Sequence, residues 1–195
     1  MVSHDILNFW FGSWPYDANA ASKIKAQWFN STAEFDLAIT TNFESRITEA
    51  LAKETWPHQS IEDTLATIIL LDQFPRNIYR GTEKAFAGDQ SALALTLKLV
   101  EHHQHLELPL EPCIFACLPL QHSEDLAIQE QSLVVHDGIL RHYGSIASNY
   151  VDYAKLHHDI ISRFGRFPHR NKALGRESTS EERQYLEDGG MRFGQ

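Results

Sequence analysis

The sequence predicts an all-α fold of antiparallel helices, on three observations. Apolar residues recur at three- and four-residue steps in several segments, helix-capping chemistry stands where those segments begin, and no stretch alternates with the β-branched content of a strand. With 195 residues, 43% hydrophobic and 11% aromatic, the chain is long enough to bury a continuous core without disulfides or metals. A single domain over residues 1–195 is the expectation.

Each element has its own signal. Ser3 stands where it caps a short helix carrying Ile6, Leu7, Phe9, Trp10 and Phe11, closed by Gly12. Ser31-Thr32-Ala33-Glu34 fits a capping box, and Phe35, Ile39, Phe43, Ile47 and Leu51 follow at four-residue steps, predicting a helix over 32–53. Ser60-Ile61-Glu62-Asp63 opens another, with Leu65, Ile68, Ile69 and Leu71 as its apolar residues and Pro75 as its stop. Asp89 reads as the cap of a helix through Leu93 and Val100, and Pro112 as the first residue of the next. Tyr150, Tyr153, His157, Ile160 and Phe164 continue a stripe begun at Ile146, which turns His157 inward. Thr179-Ser180-Glu181-Glu182 repeats the capping box, and a Gly-rich tail over 189–195 is expected to fray. Trp10, Phe11, Trp28, Phe35, Phe43, Leu65, Ile69, Phe86, Leu93 and Phe164 are the expected core.

Composition excludes several functions. A net charge of −9 opposes the wrapping of nucleic acid, whose binding draws on Lys and Arg neutralising phosphates, although a local basic pocket for a small anion remains compatible. No window reaches the ~20 apolar residues of a membrane span, and Met1 to Gly12 lacks the pattern of a signal peptide. A cytoplasmic protein with no membrane partner is expected. Cys113 and Cys117 stand one helical turn apart in an apolar run and read as packing residues. His102, His103 and His105 have no carboxylate or Cys at ligand spacing, so they read as a solvated helix end, and no metal or cofactor is expected.

Three segments carry polar residues that helix formation does not require: Asp72 to Thr82, Leu118 to Asp125 and Arg163 to Arg176. The third has five Lys and Arg residues from Arg163 to Arg176 and no acid. Phe74-Pro75-Arg76-Asn77 and Phe167-Pro168-His169-Arg170-Asn171 echo one another, each placing Arg-Asn after a proline. Arginine's rigid fork matches a carboxylate or phosphate at two points, so Arg76, Asn77, Arg80, Arg163, Arg166, Arg170 and Asn171 are the candidate ligand-binding residues. His122 and His169, with Glu124 and Asp72 as partners, are the candidate acid/base residues. The same arginines can equally pair with Asp72, Glu124, Asp125 and Asp159 as a buried structural network. On either account the three segments are expected to converge.

Long strings in this order resemble the bacterial domain of unknown function family 924: Phe9-Trp10-Phe11-Gly12, Trp28-Phe29 with Phe35-Asp36, Leu70 to Asn77, His122-Ser123-Glu124-Asp125, Arg163 to Asn171, and Leu174-Gly175-Arg176. The resemblance implies an α-α superhelix similar to tetratricopeptide-repeat folds, and it implies no activity, substrate or catalytic residue. Such a scaffold suits a non-enzymatic binding domain for a peptide, a protein or a small anionic ligand. The alternatives are a hydrolase or transferase acting on a phosphorylated or carboxylated small substrate, and a purely structural or assembly role.

Overall fold

The computed structural model describes residues 2–53 and 60–193, and every regular element among them is helical. Met1 and residues 194–195 of the expected frayed tail lie outside the described residues. Ten α-helices follow in order: α1 (Val2–Phe11), α2 (Ala18–Phe29), α3 (Ala33–Leu51), α4 (Ile61–Ile68), α5 (Phe74–Ile78), α6 (Asp89–Glu101), α7 (Leu110–His122), α8 (Leu126–Tyr143), α9 (Ser148–Phe164) and α10 (Ser180–Glu187). None is long and apolar enough to cross a membrane.

Aromatic packing organises the first half. Trp10 and Phe11 of α1 are fully buried, and both meet Phe115 of α7 edge-on, at 5.4 and 5.7 Å between centroids. Trp28 lies 4.9 Å from the same ring and donates its Nε1 hydrogen to the Trp10 carbonyl at 2.7 Å. Ser60 accepts from Asp63 N and Thr179 with Glu182 closes a reciprocal capping box, as the sequence places them. By contrast, α3 is capped by Thr32, which accepts from Phe35 N one residue after the expected Ser31, and Ser3 lies inside α1 and donates to Asp63 instead of capping it. The α3 face of Ile39, Phe43, Ile47 and Ala50 is buried.

α7 is buried from Pro112 to Gln121 on every side and holds Pro119 in its interior. A helix apolar all round has no amphipathic period, which is why its start is misplaced by the sequence: Pro109 precedes the first turn and Pro112 lies inside it. Cys113 and Cys117 are buried and free in this helix. Packed along α7, α8 and α9 form a helical hairpin joined by a short 3₁₀ turn at Gly144–Ala147.

Four expectations require correction. Pro75 does not end its helix: a π-helical turn at Ile69–Gln73, with Phe74 N–H bonded to the Ile69 carbonyl, carries the chain from α4 into α5. Proline lacks the N–H that would reach back to Leu71 and crowds that carbonyl, and the wider turn relieves both. Asp89 is the first residue of α6 rather than its cap, because its carboxylate is held by arginines. The stripe from Ile146 is out of phase: Ile146 and Tyr153 are 70% and 50% exposed, and the inward face is Val151, Ala154, His157, Ile160 and Ile161. His105 is buried, not solvated, with Nδ1 3.4 Å from the Leu99 carbonyl.

Of the expected core, Trp10, Phe11, Trp28, Phe43, Leu65 and Ile69 are buried, whereas Phe35, Phe86, Leu93 and Phe164 are half-buried. Phe86 serves instead as a platform for arginines. A smaller apolar cluster of Ile160, Ile161 and Phe167, flanked by Phe164, Tyr185 and Phe193, sits beneath the C-terminal segment.

Candidate functional site

The π-helical turn places Asp72 at the bottom of a polar centre. Its carboxylate has no solvent exposure and receives His122 Nδ1 at 2.7 Å, Arg76 Nη1 at 3.1 Å and the Gln73 amide. Burial alone would raise its pKa, but Arg76 and His122 override that and hold the carboxyl well below the usual range. It is therefore the acceptor for His122, which fixes the imidazole with Nδ1–H toward Asp72 and leaves Nε2 as the basic nitrogen. The His122 pKa is lowered by burial and by Arg76, so the ring is neutral near pH 7.

Arg76 then turns a two-point grip on Asp89, at 2.7 and 2.9 Å, and Arg170 Nη1 reaches the same carboxylate at 3.2 Å. The echo between the two Phe-Pro segments thus has a structural meaning: each proline starts a helical turn, and the arginine after it comes to one shared aspartate. Asp89 opens the 13-residue α6, where the partial positive charge of the helix N-terminus adds to the attraction. Gly88 allows this approach. A Cβ there would lie 2.2 Å from the Leu71 carbonyl oxygen, inside contact distance with rigid backbone of the π-turn.

The Arg170 guanidinium is sandwiched between Phe86 and Phe167, 4.7 and 4.5 Å from their centroids. Its Nε is buried and has no hydrogen-bond partner, and burial, opposed by Asp89, lowers its pKa to about 10. The neighbouring His169 also has a buried, unpartnered Nδ1. Burial and the nearby cations depress its pKa to about 3, and His157, buried beside His122, is likewise depressed to about 3.

The other candidates are placed around this centre rather than in it. Asn77 and Arg80 turn to Asp36 of α3, at 3.0 and 3.4 Å. Glu124 accepts from Phe167 N and from both terminal nitrogens of Arg176. Asn171 is buried and bonded to Ser178, Glu182 and Arg176; Arg166 grips Glu182 at 2.6 and 2.9 Å; Arg163 pairs with Glu181 at the surface. Asp125 caps α8, and Asp159 is exposed beside His158. The three segments do converge, through Asp72–His122, Asp89–Arg170 and Glu124–Phe167, while Arg166 stands one step away behind Asn171. Two surface depressions, lined by Ser3, Arg46 and Asp63 and by Asp5, Asn42 and Arg46, lie away from this centre. Among the described residues no three His, Cys, Asp or Glu side chains gather as a metal site.

Residues 6–190 match the model of a family described as bacterial protein of unknown function, DUF924. The chain belongs to that family. A solved structure described as a protein of unknown function, ATU0120 from Agrobacterium tumefaciens, is 33% identical to this DUF924 chain. It matches with a TM-score of 0.75, over 96% of this chain and 98% of that one. No curated protein matches. The DUF924 match contains all three polar segments but stops short of Phe193, the residue that covers His157.

Sequence reasoning missed the partners more than the arginines. Asp89 was read only as a cap, Glu182 only as the second half of a capping box, and Phe193 as frayed tail; nothing in their spacing signals a contact across 13, 16 or 36 residues.

Proposed function

We propose that this protein is a non-enzymatic binding domain whose polar centre takes a small anion, a carboxylate or phosphate, at Arg170, His122 and His169. One observation carries the reading. Arg76, Arg163, Arg166 and Arg176 each hold a carboxylate at two points or at hydrogen-bond distance, which is what a structural network provides. Arg170 differs: it has one 3.2 Å contact to a carboxylate already taken by Arg76, and a buried Nε with no acceptor. A buried donor on a cation costs free energy until an acceptor arrives, and His169 beside it has an unpartnered ring nitrogen as well. An anion oxygen supplies what both lack. A peptide or protein partner would reach this site through a carboxylate or phosphate of its own. The free Cys113 and Cys117 support a cytoplasmic setting.

Calorimetric titration with inorganic phosphate and with acetate tests the reading. Wild type and Arg163→Met should bind with the same affinity, because Arg163 faces solvent, while Arg170→Met should lose saturable binding. No binding by wild type, or equal binding by Arg170→Met, refutes it.

A second reading, an enzyme acting on a phosphorylated or carboxylated substrate, is favoured by the 2.7 Å His122–Asp72 pair. A carboxylate that orients an imidazole and leaves its far nitrogen free is the arrangement of a general base and its positioning partner. Glu124, held by Arg176, and His169, lacking a carboxylate partner, fit that role less well. Activity on such substrates that disappears in His122→Ala would establish the enzyme.

A further inference from the structure

Residues 189–193 lead back over the polar centre. Gly190 passes so close to Tyr185 that a Cβ would lie 2.5 Å from its ring, and Met191 N donates to the Tyr185 hydroxyl, which together fix the path. Phe193 then lies flat on His157, 3.8 Å between centroids at 19°, with Phe167 at 6.1 Å and His169 at 5.7 Å meeting its ring at steep angles. His157, Phe167 and His169 wall a slot that Phe193 fills, a place for one planar aromatic ring. Its walls are also the walls of the anion centre: Phe167 underlies Arg170, His169 carries the unpartnered nitrogen, and His157 stands 6.1 Å from His122.

The occupant sits under backbone strain. Phe193 has φ +49°, in the left-handed region that strains a non-glycine residue, and this strain opposes its aromatic stacking. A ring that brought its own anion to Arg170 and carried no such strain competes for this place.

We propose that the slot is the aromatic half of the binding site, that its ligand is an aromatic acid, a flat ring bearing a carboxylate or a phosphate, and that Phe193 occupies the ring's place until the ligand arrives. The inference rests on the anion reading above, and adds the ring to it. The two halves add: the ring stacks on His157, and the anion meets Arg170 and His169. The histidines favour this division, since their neutrality keeps the slot apolar while the guanidinium supplies the charge.

Titrations of wild type, Phe193→Ala and Arg170→Met with benzoate, phenyl phosphate, cyclohexanecarboxylate and inorganic phosphate test it. Phe193→Ala should retain the wild-type helical circular dichroism and bind benzoate and phenyl phosphate about tenfold more tightly, the equivalent of one stacked pair. Its affinities for inorganic phosphate and cyclohexanecarboxylate should change little. Arg170→Met should lose all four ligands. If inorganic phosphate binds through Arg170 but Phe193→Ala gains nothing for the aromatic acids, or gains as much for cyclohexanecarboxylate, the slot inference fails and the anion reading stands. If aromatic acids bind equally well to Arg170→Met, or nothing binds at all, both fail.

Discussion

Replacing Asp89 with alanine should lower the unfolding free energy by about 3–5 kcal/mol, the cost of stripping a buried charge pair of one partner. Among the described residues Asp89 is the carboxylate in ion-pair contact with Arg170, it shares Arg76 with Asp72, and both guanidiniums are buried. Its removal leaves two cations facing one another across an empty position, and Arg76 already lowers the Arg170 pKa. Most of the loss should return in the Asp89→Ala/Arg170→Met double variant, which removes the uncompensated charge. Urea midpoints of the wild type, the two single variants and the double variant measure the coupling directly. A loss below about 1 kcal/mol for Asp89→Ala, the range of a surface pair, would show that water reaches the centre and that the network is not what holds it.

Lowering the pH from 7 to 5 should remove about 4 kcal/mol of stability through His136 and His157 alone. His136 and His157 are buried neutral, their pKa values depressed by burial to about 4 and about 3, against an unfolded value of about 6.5. The unfolded chain therefore takes up protons first. Stability is intact above about pH 6.5 and falls as the pH drops through the window down to the folded values, by about 1.4 kcal/mol per pH unit for each histidine. His169 acts in the same sense, and below about pH 4.5 Asp72, Glu124 and Glu182 join it, since their pKa values are lowered in the folded state. Urea midpoints that coincide at pH 7 and pH 5 would contradict the neutral burial of these rings.

The sequence and the structure agree where the physics is local. Ser60 and Thr179 are legible as caps because a capping hydroxyl acts three residues away, the α3 cap is legible to within one residue, and the α3 stripe is legible because one face is wet. The π-turn at Ile69–Gln73 is not, since the four residues before a proline give no sign of whether the chain stops or widens. The arginines of the centre stand out by their concentration in an acidic chain, and the paired Phe-Pro segments announce Arg76 and Arg170 together. What they bind depends on loops closing over long separations. Asp89 meets Arg170 across 81 residues and Glu124 meets Arg176 across 52, and no periodicity records such a meeting.

The small cluster of Ile160, Ile161 and Phe167 gives the molecule a second, softer mode of opening. From Phe167 onward the chain rests on this little apolar area and is fastened largely by polar contacts, among them the ion pairs Asp89–Arg170, Glu124–Arg176, Glu182–Arg166 and Glu181–Arg163. Salt weakens the half-exposed members of such a set while leaving the aromatic packing around Phe115 untouched. Amide exchange in α10 should therefore quicken with ionic strength under conditions where α7 exchanges only through global unfolding. Phe193, stacked on His157 beside this segment, should become exposed with α10, so the ionic strength of the surroundings becomes a handle on how firmly the C-terminal segment covers that ring.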